Sequence, residues 1–333
     1  MKKFLNDPEK FEQEMLQGIL YAHASDLKSV REDNKAIIRK KESSKNKVTL
    51  ITGGGSGHLP LFLGYVGEGL LDGVAIGDIF QSPSPKQILD LIKAVEMGKG
   101  VLSIFGNYGG DIMNFEMANE LAEIENIETA TVIVTDDVAS KPKGEEQGRR
   151  GVAGLFFVFK MAGAAAERGD SLNEVKRIAE KANSQVRSMG VGLSPCTIPA
   201  IGKPSFEIPE GEMELGIGIH GEPGIYRGEQ KQVKDITTEI LTTIIDDLQL
   251  NSGDTVAILV NGLGATPLEE LYIVYKHCYE LLEEKEITIK QNYIGEYSTS
   301  MEMVGFSISI LELDEELAEL ITVSHQTPFL IQL

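Results

Sequence analysis

The sequence predicts two α/β domains, the first with a mainly parallel sheet, with a ligand site at strand ends between the domains. The chain has 333 residues, which is enough for about two domains that each bury a core. Short apolar strands alternate with helical patterns along its first half. Glycine-rich segments follow several of these strands, where parallel sheets bind ligands. We expect a first domain at residues 1–184 and a second at 185–333.

The first segments of the chain predict a helix, a turn and a buried strand. Residues 7–33 are expected to be helical, because Asp7 can cap a helix and Pro8 suits its first turn. Residues 39–47 are polar and mostly basic, which is typical of a solvated hairpin turn. Residues 48–51 form a buried strand that leads directly into a glycine loop at residues 53–57.

The rest of the first domain continues the alternation. We expect strands at 74–77, 101–105 and 131–134, and helices at 115–122 and 152–166. Two further helices are expected to follow serine caps, one starting near Pro85 and one at Ser171. In the second domain the patterns predict helices at 233–249 and 268–284, and strands at 255–260, 287–295 and 304–311.

Composition excludes several classes of function. The net charge of −20 argues against direct binding to nucleic acid, which needs clustered Lys and Arg; a soluble, self-repelling surface explains this charge most simply. No apolar run is long enough to span a membrane. Residues 1–7 lack the apolar core of a signal peptide, so we expect a cytoplasmic protein. Cys196 and Cys278 show no metal-ligand spacing, and neither a metal nor a cofactor is expected.

Three glycine-rich segments carry the candidate chemistry. Residues 216–224 present His220 at the tip of a tight loop, residues 52–58 end in His58, and residues 107–111 end in Asp111. A lone histidine in such a loop is more often packed or merely exposed than catalytic. The conjunction favours a site, because a neutral imidazole attacks carbonyls and a nearby carboxylate can orient it or accept a proton.

Other motifs in the sequence lack the structural context that their usual function requires. Gly216, Gly218 and Gly221 match the dinucleotide fingerprint, but Pro223 follows where a helix should begin. No phosphate-binding loop of the G-x-x-x-x-G-K-[ST] type occurs in the sequence. Ser56 lies among glycines without the spacing of a nucleophile elbow, so a turn serine is the better interpretation.

Six segments together resemble the dihydroxyacetone kinase family, and in particular its dihydroxyacetone-binding subunit. The resemblance covers nearly the whole chain, with the motifs in the family's order. The matching segments are Gly53–His58, Ser82-Pro83, Asn107–Asp111, Gly148–Gly154, Leu193–Thr197 and Gly218–Gly224.

The resemblance implies a mechanism and a set of residues. In that family a loop histidine, here His220, holds the substrate ketone as a covalent hemiaminal. Asp111 matches a carboxylate that binds a substrate hydroxyl and assists its deprotonation, and His58 matches a second histidine at that hydroxyl. The catalytic candidates are therefore His220, His58 and Asp111. The substrate-binding candidates are Gly54, Gly55, Ser56, Gly57, Ser82, Gly106, Asp111 and His220.

Departures from the family pattern leave two hypotheses open. Leu59 replaces a usual glutamate and Gly106 a usual lysine, so the rim of the site changes while its ligand-binding groups remain. Phosphoryl transfer commonly relies on such a cation. The first hypothesis is a non-catalytic, dihydroxyacetone-sensing co-activator that works with a DNA-binding regulator of the TetR type. The second is the binding subunit of a working kinase, with the phosphoryl donor on a separate nucleotide-bearing subunit. The resemblance also implies a homodimer.

Overall fold

The computed structural model describes residues 2–41 and 46–333. Its helices are α1 (Phe11–Ala22), α2 (Pro85–Val95), α3 (Gly109–Ile124), α4 (Leu155–Arg168), α5 (Leu172–Gln185), α6 (Val233–Leu248), α7 (Leu268–Glu284) and α8 (Glu315–Leu320). Its strands are β1 (Leu27–Ser29), β2 (Ala36–Arg39), β3 (Thr49–Ser56), β4 (Gly73–Ile79), β5 (Val101–Gly106), β6 (Thr129–Val134), β7 (Val186–Gly192), β8 (Glu212–Leu215), β9 (Tyr226–Glu229), β10 (Thr255–Gly262), β11 (Thr288–Gly295), β12 (Gly305–Glu312), β13 (His325–Gln326) and β14 (Ile331–Gln332).

The first sheet has the strand order β1-β2-β4-β3-β5-β6. Strands β4, β3, β5 and β6 pair in parallel, whereas β1 and β2 add an antiparallel edge. The prediction of a mainly parallel first sheet is therefore confirmed. The carboxyl ends of β3 and β5 meet at one edge, and the segments that follow them carry His58 and Asp111.

The second sheet has the order β11-β10-β12-β7-β8-β9 and is mainly antiparallel. The loop that bears His220 leaves the end of β8 and returns at β9. Both sheets contribute to one hydrophobic core around α4, in which residues 155–166 are all buried. The chain passes from the first sheet to the second between α5 and β7. The domain boundary at residues 184/185 stays a prediction.

Two helix predictions were wrong in extent. The helix predicted over 7–33 ends at Ala22, and residues 27–29 instead form β1, because they pair antiparallel with β2. The helix predicted over 115–122 begins earlier, at Gly109, although two glycines open it. Asp111 is consequently in the first turn of α3 and not in a loop. The hairpin predicted at residues 39–47 lies partly outside the described residues.

Helices with a local start signal lie where the sequence predicts them. Ser84 caps α2, with Gln87 completing a capping box, and Ser171 caps α5. Helix α7 spans residues 268–284 as predicted. In residues 2–41 and 46–333, no helix combines the length and apolar character needed to cross a bilayer.

Candidate functional site

Gly53, Gly54 and Gly55 are part of strand β3, so the loop predicted at 53–57 is wrong for all but its last residue. Gly54 and Gly55 pair with Ile76 and Gly77 of β4. A Cβ on Gly54 would overlap the ring of Phe62, and a Cβ on Gly55 would lie 2.7 Å from the backbone of the segment after β4. Glycine thus allows another chain segment to close over the end of the strand. The turn itself comes at Gly57, whose φ of +100° favours glycine.

His58 is a buried, neutral imidazole held by the second half of the chain. Its Nδ1 lies 2.7 Å from the backbone oxygen of Thr299, which can only accept, so Nδ1 carries the hydrogen. Burial and the neighbouring His220 lower the pKa of His58 to about 3. The lone pair of the neutral ring is therefore on Nε2, a buried atom with no hydrogen-bond partner within the described protein.

His220 lies beside His58, with 4.8 Å between the two ring centroids. Its Nδ1 is 2.9 Å from Oε1 of Glu222, and Oε2 of the same carboxylate accepts the backbone N–H of His220 at 2.9 Å. Burial raises the pKa of Glu222, but the hydrogen bond and charge of His220 and the charge of Arg150 outweigh it and lower this pKa to about 2. Because an ionised carboxylate only accepts, it favours the tautomer with hydrogen on Nδ1 and a free lone pair on Nε2.

Two aromatic rings pack against this pair of histidines. Phe80 stacks on His58 with centroids 4.8 Å apart and meets His220 edge-on at 5.3 Å. Tyr108 meets His220 edge-on at 4.8 Å. Phe80 has a φ of +59°, a conformation that costs a bulky residue energy and that the surrounding packing must enforce. These ring contacts limit the orientations open to the two imidazoles.

Asp111 adds a carboxyl group with an unusual affinity for protons. Its side chain is buried, and burial raises its pKa to about 6, against the opposing effects of the Ser82 hydrogen bond and the charge of His220. Such a group is poised to exchange a proton near neutral pH. Ser82 also lies close to the backbone of Gly110, so it connects the segment after β4 to the start of α3.

Four buried polar atoms of these segments have no hydrogen-bond partner among the described residues. They are Ser56 Oγ, His58 Nε2, Tyr108 OH and Asp111 Oδ1. Burying a polar group without a partner costs about 1–3 kcal/mol, so several in one place point to a ligand. Donors and acceptors of this kind suit a small, uncharged molecule rich in hydroxyl groups.

Gly106 and Leu59, the positions that depart from the family pattern, border this site. Gly106 is buried at the end of β5, and a Cβ there would lie 3.0 Å from the ring of Tyr108 and 3.1 Å from the backbone oxygen of Gly151. Leu59 packs against the hydrophobic core. In this protein, therefore, an aromatic ring fills the space beside residue 106.

The structure thus brings His58, Asp111 and His220 into one site, together with Ser56 and Ser82; their catalytic and binding roles stay predictions. Sequence reasoning assigned no role to four further residues of the site: Phe80, Tyr108, Arg150 and Glu222. All four occur in or beside motifs that carried the family resemblance. The spacing of Glu222, two residues after His220 in a tight loop, is the signal that could have revealed its contact with the imidazole.

Comparisons with known proteins agree with this geometry. The family model of the Dak1 domain matches residues 17–329. The chain is 44% identical over 329 residues to the dihydroxyacetone-binding subunit DhaK of PTS-dependent dihydroxyacetone kinase 2 from Listeria innocua, covering 99% of each chain.

Two solved structures share the fold over most of the chain. One is a dihydroxyacetone kinase operon co-activator, Dha-DhaQ, with a TM-score of 0.88 and 32% identity over 94% of this chain and 96% of that one. The other is the dihydroxyacetone kinase of C. freundii, with a TM-score of 0.91 and 30% identity over 99% of this chain and 60% of that one. The predicted resemblance is confirmed, and this chain belongs to the Dak1 domain family of dihydroxyacetone kinase subunits and their relatives.

Proposed function

We propose that this protein is a cytoplasmic dihydroxyacetone sensor, which captures the ketone on His220 as a hemiaminal and acts as a transcriptional co-activator with a TetR-type regulator. The observation that carries the capture step is the 2.9 Å contact between His220 Nδ1 and Glu222. In the neutral ring this contact keeps the hydrogen on Nδ1 and leaves the lone pair on Nε2, the form that attacks a carbonyl carbon.

Hemiaminal formation is an addition in which no atom is lost. The Nε2 lone pair of His220 bonds to the carbonyl carbon, and the π electron pair of the C=O bond moves to oxygen. The ring gives up its Nδ1 proton, which Glu222 accepts and relays, and the oxygen takes up one proton; the net change is the transfer of one proton from nitrogen to oxygen, so the total charge is unchanged. Ser56, His58, Tyr108 and Asp111 supply unpartnered polar atoms for the two hydroxyl groups of dihydroxyacetone.

The choice between sensor and kinase subunit depends on the rim of the site. Gly106 offers no cation, and the guanidinium of Arg150 is engaged by Asp137 and by the backbone of Gly216. A transferring phosphoryl group needs positive charge for stabilisation. The lack of a free cation beside Gly106 among the described residues supports the sensor hypothesis. In a sensor, bound dihydroxyacetone would shift the equilibrium between two conformations that differ in their affinity for the partner.

The kinase-subunit hypothesis remains the second candidate. Relatives with 42–44% sequence identity are named as dihydroxyacetone-binding subunits of kinases. Asp111, whose pKa is raised to about 6, also keeps the proton-accepting character that an attacking hydroxyl would need.

Covalent capture can be tested with dihydroxyacetone labelled with carbon-13 at the ketone. Its NMR signal should move to the range of tetrahedral carbons when the protein is added, and glycerol should not bind. The His220→Ala variant should show no such signal, whereas the control His277→Ala, which removes a histidine of α7, should behave as the wild type. A bound ligand that keeps its ketone signal would refute the hemiaminal.

A second assay separates the two hypotheses. The protein is mixed with a competent nucleotide-bearing kinase subunit from the same cell, and dihydroxyacetone phosphate is measured. We expect little or no product, together with ligand-dependent binding to a TetR-type regulator. Turnover at ordinary kinase rates, on the order of 1–100 per second, would make this chain the kinase subunit.

The family resemblance further implies a homodimer as the base unit. Sedimentation equilibrium should give twice the chain mass of 36.3 kDa. A single-chain mass at micromolar concentration would contradict this part of the proposal.

A further inference from the structure

We propose that Arg150 is a positioning residue for His220, acting through Glu222 to fix the tautomer of the imidazole. The inference rests on the proposed function for its purpose, since a fixed Nδ1–H leaves Nε2 free to attack the ketone. Arg150 lies between β6 and α4, whereas His220 and Glu222 lie between β8 and β9. A side chain next to the first sheet would thereby set the chemistry of a loop that belongs to the second.

The guanidinium of Arg150 is held rigidly. Its Nε donates to Asp137 Oδ2 at 2.8 Å, and its Nη2 lies 2.7 Å from the same oxygen. The backbones of these residues are also joined, because Asp137 N–H donates to the Arg150 carbonyl at 3.1 Å. A second anchor on the main chain is the hydroxyl of Ser140, which accepts the Arg150 N–H at 3.0 Å. Few orientations are left to this guanidinium.

The same guanidinium lies against the His220 loop at two points. Its Nη2 donates to the carbonyl oxygen of Gly216 at 2.9 Å, where the loop leaves β8. A Cβ on Gly218 would lie 2.6 Å from Arg150 Nη1 and would overlap Glu222 Oε2. The guanidinium and the carboxylate therefore approach each other over the bare Cα of Gly218, with no side chain between them.

This arrangement stabilises the ionised form of Glu222 and its position beside His220. The carboxylate receives the Nδ1–H and the N–H of His220 on one side and faces the positive charge of Arg150 on the other. If Arg150 is removed, Glu222 loses a fixed opposite charge in a half-buried site and is freer to take a proton or to turn away. His220 Nδ1 would then lose the acceptor that selects its tautomer.

Another ion pair of the same loop provides a matched control. Arg227 Nε donates to Glu214 Oε2 at 2.8 Å, and Glu214 Oε1 accepts the N–H of Gly224 at 2.8 Å. This pair holds the far end of the loop through the main chain and makes no hydrogen bond to His220 or Glu222 among those of the described residues. Arg227→Gln thus tests for a general loosening of the loop.

The test reads the tautomer by nitrogen-15 NMR of the histidine rings in the ligand-free protein. The chain has five histidines, and the His220 signals are assigned by their loss in His220→Ala. In the wild type, His220 should show a protonated Nδ1 and a bare Nε2. Arg150→Gln should show mixed tautomers, and covalent capture of labelled dihydroxyacetone should weaken by about tenfold, as expected for one charge-assisted contact.

Further variants distinguish a specific effect of Arg150 on the His220 tautomer from a general disturbance of the fold. Arg150→Gln combined with Asp137→Asn leaves no unpaired buried carboxylate, so it should fold and still show the altered tautomer. Glu222→Gln, which leaves the Arg150 pair with Asp137 intact, should alter the tautomer in the same way. Arg150→Lys, which keeps the positive charge, should lie closer to the wild type than Arg150→Gln.

The outcomes separate this inference from the proposed function. An unchanged His220 tautomer in folded Arg150→Gln, or an equal change in Arg227→Gln, would overturn the role of Arg150 even if the wild type captures dihydroxyacetone. Absence of a covalent adduct in the wild type would overturn the proposed function, while the ring spectra of the ligand-free protein would still decide what Arg150 does.

Discussion

Replacing Asp111 with asparagine should stabilise the folded protein above pH 6, although it alters a residue of the site. Burial raises the pKa of Asp111 from 3.8 to about 6, so the folded state binds this proton more tightly than the unfolded state does. Stability is therefore lost as the pH rises from about 4 to about 6, and the full cost persists at higher pH. Because a tenfold change in proton affinity corresponds to about 1.4 kcal/mol, the rise in the pKa of Asp111 from 3.8 to about 6 costs about 3 kcal/mol of stability.

The assay is urea unfolding of the wild type and Asp111→Asn at several pH values between 4 and 8. The free energies of unfolding should be similar near pH 4. At pH 8 the variant should be more stable by up to about 3 kcal/mol, and this gain is reduced if the hydrogen bond from Ser82 is weaker to asparagine than to aspartate. Asp246→Asn, which removes an exposed carboxylate from this acidic protein, controls for the loss of one negative charge. A difference that does not change with pH, or a less stable variant at pH 8, would refute the reasoning.

Three other predictions concern stability and use the same unfolding assay. Gly54→Ala should cost about 1–3 kcal/mol because its Cβ overlaps a buried phenylalanine ring, whereas Gly18→Ala, with open space inside α1, should gain about 1 kcal/mol; equal effects would contradict the packing. Arg149→Met should cost about 1.5–3 kcal/mol, because Asp247 loses its two-point contact at 2.9 and 2.7 Å but keeps its ion pair with Arg187, and a loss below about 0.5 kcal/mol would count against it. His58 has a pKa lowered to about 3, so its folded form excludes a proton that the unfolded chain accepts near 6.5, and stability should fall as the pH falls. From pH 6.5 to pH 5 the advantage of the wild type over His58→Gln should shrink by about 2 kcal/mol, and a constant difference would argue against a neutral buried ring.

Several features of the fold could be read from the sequence because their causes are local. A serine cap followed by a helical apolar stripe fixes where α2 and α5 begin. A continuous helical period predicts α7 over its observed length. The motifs around His58, Asp111 and His220 likewise identify the family, since a family match depends on the order of residues and requires no contact between them.

Other features were decided by contacts between distant segments. Residues 53–56 look like a loop in sequence but form strand, because β4 pairs with them and aromatic rings close over their bare Cα atoms. Residues 27–29 leave the helical pattern because β2 offers them a partner. Local propensity is weak compared with a complete set of backbone hydrogen bonds, so the tertiary partner prevails.

The chemistry of the site depends on tertiary structure in the same way. The sequence by itself determined which residues could react, namely two histidines and an aspartate next to glycines. It could not determine that a carbonyl 241 positions away orients His58, or that Arg150 lies beneath the His220 loop. Tautomers and pKa values follow from burial and from the nearest charges, which exist only once the two sheets are packed together.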